Sequence, residues 1–505
     1  MGASPPPISL GALIKGIEGA SILGREDSLV RGVAYHSAAV SPGDLFICVR
    51  GGRDDGHRHA RDAVARGAVA LAVEHALEGL DGVAQVHVTD GRRALSGLAA
   101  RFYGCPSSRL RVVGITGTEG KTTTAFLVDS ILRAAGRRTG MFGTIVNRIG
   151  TIEHRAEYTT PEAPDLQRLL WQCAESGVTD VVMEVSSHAL AQGRVADCEF
   201  DLAVLTNLHS DHLDFHQTHD AYREAKLQLF TGLGGGPAKR GQGAGVVNGD
   251  DQHADEFVCA TPRPVRTFGL RTPAHVVGRP LVAGVRRTVF WARTARWTGQ
   301  ISLRLTGHFN VANALAAIAV AEWLQVPPGE ILAGLEQLRG VPGRFEVVRN
   351  RSGLLIVIDF AHTEAAFGEV LPTLRSLAPG RVITVFGCAG DRDRTKRGAI
   401  GRLVTRLSDL AIITTDNPAH EDPAEIAREV ITGAREADPA GERHRVVLDR
   451  LVAVETAMAL ARTGDAVLLA GKGHEECQIV DGSRVPYSDR WAVREVLTRR
   501  GARMD

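Results

Sequence analysis

The sequence has little that would anchor or brace a chain from outside its own core. Its 505 residues include only seven cysteines: Cys48, Cys105, Cys173, Cys198, Cys259, Cys388 and Cys477. They are scattered, odd in number and never spaced C-x-x-C. This argues against a disulfide framework and a thiolate zinc site, and it fits a reducing compartment. No apolar run reaches the ~20 residues that a bilayer-spanning helix needs. Residues 1–13 lack a basic stretch followed by an apolar one, so no signal peptide is expected. Net charge is only +1, so no broad field for nucleic acid or acidic lipid is built in. Internal repeats and long low-complexity tracts are also missing. A cytoplasmic protein without nucleic-acid partners or a membrane span is expected.

What is present is enough chain for several cores, because 505 residues exceed what one hydrophobic core usually serves. Short apolar runs alternate with helical patterns, which predicts an α/β fold with parallel sheets covered on both faces. Three domains are expected, over 1–107, 108–340 and 341–505. The first is a small α/β unit with strands over 44–49 and 68–73 and a helix over 59–66. Turn residues at 103–108 end it. The second is a P-loop ATPase-type parallel sheet with strands over 110–116, 180–185 and 202–206. Its glycine-rich stretch 234–245 is expected to be a mobile surface loop. After Gly340-Val341-Pro342-Gly343-Arg344, strands over 354–359, 381–386, 411–415 and 466–470 predict a Rossmann-like domain. No G-x-G-x-x-G follows its first strand, so no dinucleotide is inferred.

The most informative motif follows the strand at 110–116. Gly117-Thr118-Glu119-Gly120-Lys121-Thr122-Thr123 then opens a helix. Such a turn aims backbone N–H groups at phosphate oxygens, with Lys121 supplying a cation and Thr122 a hydroxyl suited to Mg²⁺. The strict G-x-x-x-x-G-K-[ST] spacing is not met, because Ile115 holds the first glycine position. Glu184 stands at the carboxyl end of the strand that starts at Asp180 and either faces the ligand crevice as a metal ligand or serves as a capping or salt-bridged carboxylate. The stretch from Thr206 to His216 packs three histidines and two aspartates, which suits either a metal or a polar loop. Lys226 lies on a helical pattern and, from the residues alone, is solvated surface. The charged turns Gly387–Arg397 and Gly471–Glu475 suit either anion binding or solvated helix starts.

These pieces occur together in one order over nearly the whole chain. GTEGKTTT at 117–124, TTP at 159–161, EVSSHAL at 184–190 and TNLHSDHLDFH at 206–216 begin the series. YREAK at 222–226, GHFNVANALAA at 307–317, VPGRFE at 341–346 and DFAHTE at 359–364 continue it. GDRDRTKR at 390–397, DNPAHEDP at 416–423 and AGKGHE at 470–475 complete it. The sequence thereby resembles the Mur ligases of peptidoglycan synthesis, and most closely the members that add the third residue to UDP-N-acetylmuramoyl-L-alanyl-D-glutamate.

The resemblance implies an ATP- and Mg²⁺-dependent enzyme of cell-wall synthesis, acting as a monomer on the UDP-muramoyl-dipeptide and an amino acid. Its three domains would bind the UDP moiety, ATP and the amino acid respectively, and an acyl phosphate would form on the way. By motif position, Gly117, Thr118, Gly120, Lys121, Thr122 and Thr123 would hold phosphates. Thr122, Glu184, His212 and a carbamylated Lys226 would surround Mg²⁺. Asn310 and Asn313 would face the adenine, with Arg344 and Asp359 reaching the nucleotide from the third domain. Thr159, Thr160, Ser186, Gln192 and Arg194 would bind the muramoyl peptide, and Ser37 the UDP portion. Arg392, Asp416, Asn417, Gly471 and Glu475 would receive the amino acid.

Five positions depart from the family pattern. His36-Ser37-Ala38 stands for Asp-Ser-Arg, Glu119 for asparagine, Glu364 for proline and Cys477 for tyrosine. Ala419 follows Asp416-Asn417-Pro418 where diaminopimelate-adding members carry arginine. Losing that two-pronged partner disfavours a ligand with a distal carboxylate. The nearby Glu421 and Asp422 are expected to favour a distal ammonium instead, so L-lysine or another diamino acid such as L-ornithine is expected. Alternatives are a paralogue ligating another amino acid in a different pathway, a folylpolyglutamate synthetase-type enzyme, and a non-catalytic nucleotide-binding homologue.

Overall fold

The computed structural model describes residues 4–501 except 52, 53 and 81. The outer ends of the expected first and third domains, 1–3 and 502–505, lie outside the described residues. Three large sheets follow one another along the chain, each with its own apolar layers. The breaks between them fall between Phe102 and Arg111 and between Gln337 and Glu346.

The first sheet has five strands in the order Ser21–Leu23, Ala84–His87, Ala70–Val73, Asp44–Ile47 and Gly32–Ala34. All pairings are parallel except that of the edge strand Ser21–Leu23. This unit touches the next through Tyr35, whose hydroxyl donates to Asp165 at 2.8 Å, and through the Arg92–Glu162 ion pair at 2.9 Å.

The central sheet has eleven strands. Its core is parallel, running Thr139–Phe142, Asp180–Glu184, Arg111–Thr116, Leu202–Leu205 and Ala244–Asn248. Val113, Ile115, Val182 and Val204 are fully buried there, as two-sided burial of a parallel sheet requires. The largely apolar helix Phe309–Trp323 and the helix Lys121–Ala134 cover one face. Antiparallel hairpins extend the sheet at both ends. The carboxyl ends of four adjacent parallel strands therefore open into one crevice, where open α/β sheets bind ligands.

The glycine-rich stretch differs from expectation. Lys239 is buried, and its ammonium donates to the Leu110 and Glu199 carbonyls and to Asp201. A buried charge needs such partners, and they pin the stretch to the sheet. Ala244 and Gly245 already belong to the strand Ala244–Asn248.

The third sheet runs Glu346–Val348, Leu355–Asp359, Ala466–Ala470, Val382–Phe386, Leu410–Ile413 and His444–Val446, parallel after the first pair. Its carboxyl ends carry Phe360, the 471–475 turn, the 387–392 turn and Asp416-Asn417. They face the crevice of the central sheet and close a cavity of about 320 Å³ between them.

Candidate active site

The phosphate loop owes its shape to two glycines. Gly117 and Gly120 have φ of 146° and 82°, a region that side chains resist. At Gly120 an added Cβ would also lie 2.3 Å from Asn313 Oδ1. Lys121 folds back on the loop, donating to the Gly117 and Thr118 carbonyls at 2.9 and 2.8 Å. Burial lowers its pKa, with Glu184 and Glu119 opposing the shift.

Thr122 donates to Glu184 Oε2 at 2.9 Å and accepts from Arg344 Nη2 at 3.1 Å. Glu184 is also held by Thr144, whose N–H donates to Oε1 at 2.8 Å and whose hydroxyl donates to Oε2 at 3.0 Å. Sequence reasoning missed Thr144, although Gly143-Thr144 directly follows a strand end as the phosphate loop does. Thr160 donates to the Glu184 carbonyl and accepts from the Ser186 N–H, so TTP and EVSSHAL are bonded together.

Lys226, which looked like surface, is 1 % exposed. Its helix, His219–Thr231, packs under the loop, and Nζ donates to the Gly117 carbonyl at 2.8 Å above the Tyr222 ring. Burial and then the nearby Lys121 push its pKa well below the usual lysine value. His212 adopts a left-handed conformation (φ 54°) that turns its ring into the same cavity, beside Asp211. Burial lowers its pKa, leaving the neutral imidazole favoured. His216 is buried among His188, Phe215 and Tyr222 outside the cavity wall.

Among the described residues no group of three His, Cys, Asp or Glu side chains forms a metal cage. The donor set is one carboxylate, one hydroxyl and one imidazole beside a phosphate loop. That suits a hard cation which keeps waters and takes its remaining ligands from a substrate's phosphates.

The far wall comes from the third sheet. Arg392, Lys396, Asp416, Asn417, Gly471 and Glu475 line the same cavity. Arg392 and Lys396 lie 3.8 and 3.5 Å from Asp214 and Asp211 of the central domain. Asn417 donates to Glu475 at 2.9 Å, and the buried Lys472 donates to both. Asp416 is buried, its Oδ1 has no hydrogen-bond partner among the described residues but lies 3.8 Å from Lys472 Nζ, and burial raises its pKa. The strand end is fixed from behind by Arg450, which donates to the Ala470 carbonyl at 2.8 Å and to both Asp489 oxygens.

A second cavity, about 540 Å³, lies on the other side of the loop. It is lined by Asn207, Phe268, His308, Asn313 and Asp359, and it shares Glu119, Gly120, Thr123 and Arg344 with the first. Arg344 stacks 4.6 Å above the Phe360 ring. Asn310 is outside this wall: it donates to the Thr306 carbonyl and accepts from Asn313, so it orients Asn313. Asp359 accepts from the Phe345 and Ala361 N–H groups, and burial raises its pKa to about 6.

Three further groups of expected residues lie away from the main cavity. Ser37 stands apart from both cavities, beside Asp62. Gln192 accepts from Arg194, which donates to the Thr160 carbonyl and pairs with Glu162 at 3.0 Å. Arg194 thus abuts the TTP segment, whereas Gln192 lines a different cavity. Glu421 is taken by the fully buried Arg397 and by the Asp391 N–H, and Asp422 caps the helix Pro423–Ala437. Neither faces the amino-acid end of the cavity, so neither can favour a distal ammonium there.

Fold and site together define a three-domain α/β enzyme in which a phosphate loop faces a polar pocket across a domain junction. Three family models match in succession: Mur ligase family, catalytic domain, at 29–103; Mur ligase middle domain at 115–321; and Mur ligase, glutamate ligase domain, at 343–473. The chain belongs to the Mur ligase family and is an ATP-dependent amide ligase. It is 41% identical over 471 residues to the UDP-N-acetylmuramoyl-L-alanyl-D-glutamate–2,6-diaminopimelate ligase of Syntrophomonas wolfei, covering 93% of this chain and 95% of that one. A solved ligase of the same name aligns with TM-score 0.68 at 30% identity, over 98% of this chain and 100% of that one. The MurF ligase of Thermotoga maritima in complex with ADP shares the fold, with TM-score 0.62 at 21% identity over 88% and 94% of the two chains.

Proposed function

We propose that this protein joins a diamino acid to the terminal carboxylate of UDP-N-acetylmuramoyl-L-alanyl-D-glutamate, in the cytoplasm and for peptidoglycan synthesis. The observation that carries this is the single cavity with Lys121, Thr122 and Glu184 at one end and Arg392, Asp416 and Glu475 at the other. The three domains divide the work, with the UDP moiety on the first, ATP on the second and the amino acid on the third.

In the first step a carboxylate oxygen of the dipeptide attacks the γ-phosphorus and ADP leaves. The product is an acyl phosphate, a far better acyl donor than a carboxylate. In the second step the amine attacks the acyl carbon, the tetrahedral adduct expels phosphate, and the nitrogen loses its proton. Lys121 and the loop N–H groups balance phosphate charge, and the pocket aligns the reacting atoms. Thr122, Glu184, His212 and Lys226 would hold Mg²⁺, which when bound neutralises phosphate charge. Lys226 is buried without a carboxylate partner, which suits a carbamate formed from its neutral amine and CO₂. Thr159, Thr160, Ser186 and Arg194 form a polar edge for the dipeptide, and Asn313 and Asp359 flank the nucleotide. Ser37 and Gln192 would meet the more distant UDP-sugar portion.

For the third residue we favour L-lysine or L-ornithine. The support is the family resemblance alone: Ala419 stands at the motif position where diaminopimelate-adding members carry arginine, and its methyl group could not pair with a second carboxylate. The relatives' names favour diaminopimelate as the second reading. Phosphate release with the UDP-dipeptide present, scored across amino acids, separates them. Lysine or ornithine is expected to give the highest kcat/KM. Diaminopimelate as the best substrate would overturn the role given to Ala419, and release independent of dipeptide and amino acid would sink the ligase reading itself.

A further inference from the structure

Glu119 is the phosphate-loop residue that the ligase chemistry leaves without a task. It lines both cavities, at the seam that a triphosphate spanning them must pass. Its backbone is fixed: the N–H donates to Asn207 Oδ1 at 2.8 Å, and the carbonyl accepts from the Thr206 hydroxyl at 2.6 Å. Its side chain crosses to the C-terminal domain, where Oε1 accepts from the Thr363 hydroxyl at 2.9 Å. That hydroxyl also accepts from the Ala366 N–H at 3.1 Å, because Thr363 caps the helix Glu364–Leu377. Its proton is therefore committed to Glu119. A second unusual residue, Glu364, follows Thr363 directly in the chain. Glutamate at the first helical position keeps a backbone N–H that proline would lack.

We propose that Glu119 is a positioning residue that couples nucleotide binding to docking of the C-terminal domain through Thr363. When the domain is docked, the Thr363 hydroxyl and the positive end of a fourteen-residue helix offset the carboxylate charge. When it is undocked, the carboxylate faces the phosphate path without either partner, and like charges repel. Nucleotide then binds the docked form more tightly, and by reciprocity bound nucleotide favours docking. The coupling rests on the nucleotide site proposed above and not on which amino acid is added.

The test is titration of the full chain with a non-hydrolysable ATP analogue and Mg²⁺, with no dipeptide or amino acid present. Thr363→Ala is expected to weaken binding by about 5- to 20-fold, a usual size for such coupling. Thr363→Ser restores it. In a Glu119→Gln background, Thr363→Ala is expected to cost less than about twofold, because contacting partners are not additive. An equal penalty in both backgrounds overturns the coupling and leaves Thr363 as a helix cap alone. Glu119→Ala leaves the cap intact and supplies a second readout. The analogue is expected to compact the unaltered chain in small-angle scattering and to compact Glu119→Ala measurably less, the Arg344 link remaining in both. Equal compaction of the two overturns the proposal. Failure of the analogue to bind the unaltered chain removes the nucleotide site and the coupling with it.

Discussion

Lys226 shows how far one side chain's surroundings decide its chemistry. Its amino group is buried, lies near Lys121 and, among the described residues, bonds to a backbone carbonyl alone. Replacing it with alanine removes a group aimed at the phosphate loop, while Lys121 continues to bond the same carbonyl. Turnover is expected to fall by about 10²- to 10³-fold, the usual loss for a positioned electrostatic group. The melting temperature is expected to hold, and unchanged turnover would remove Lys226 from the mechanism. Asp359 makes a separate prediction. Burial raises its carboxyl from 3.8 to about 6, so the folded state holds the proton more tightly than the unfolded chain. Its stabilising contribution is complete below the unfolded value and is lost as pH rises through the folded one. The shift corresponds to about 3 kcal/mol. Denaturant unfolding is expected to show stability falling between about pH 4 and pH 6, and Asp359→Asn to flatten that slope. Parallel profiles for the two proteins would exclude Asp359 as the titrating group.

At the scale of elements, strands and their ends govern the site. The buried pair of Arg450 and Asp489 joins the helix Asp489–Arg499 to the end of the strand Ala466–Ala470. Removing one partner leaves an unpaired buried charge, so Asp489→Ala is expected to cost about 3–5 kcal/mol in equilibrium unfolding. A loss below about 1 kcal/mol would mean that water replaces the carboxylate. The sequence made some of this organisation legible and hid the rest. The phosphate loop could be found because strand, glycines, lysine and threonine are contiguous, and Glu184 because it ends an apolar run. Lys226 could not be singled out from the residues alone, since a helical lysine has the same local pattern buried or exposed. Thr144 follows a strand of only four residues, too short to announce its end. Glu421 misled because its neighbours in sequence line the pocket while its own partner, Arg397, lies elsewhere in the chain. Lys239 misled likewise, since glycine content says nothing of a distant carbonyl that a lysine will seek.

In the whole molecule, function depends on the third domain reaching the second. Arg344 is one bridge, bonding Thr122 from 222 positions away while stacked on Phe360. Its Nε is buried and has no hydrogen-bond partner among the described residues. Lysine keeps the charge and loses both the planar stack and the fork. Arg344→Lys is therefore expected to raise the KM for ATP by about tenfold, with a smaller change in the KM for the amino acid. Equal changes in both would assign Arg344 to domain docking rather than to phosphate.

The Arg450–Asp489 pair also carries a consequence for biosynthesis. The 471–475 turn, proposed above to receive the amino acid, is anchored from a helix that begins at residue 489, more than 360 positions after the phosphate loop. During translation the loop and its sheet can fold early, yet the pocket opposite stays unanchored until that helix has been made. A ribosome-bound or proteolytically shortened chain ending before Asp489 would therefore have a formed phosphate loop facing an unfinished pocket, and could not complete the amide bond.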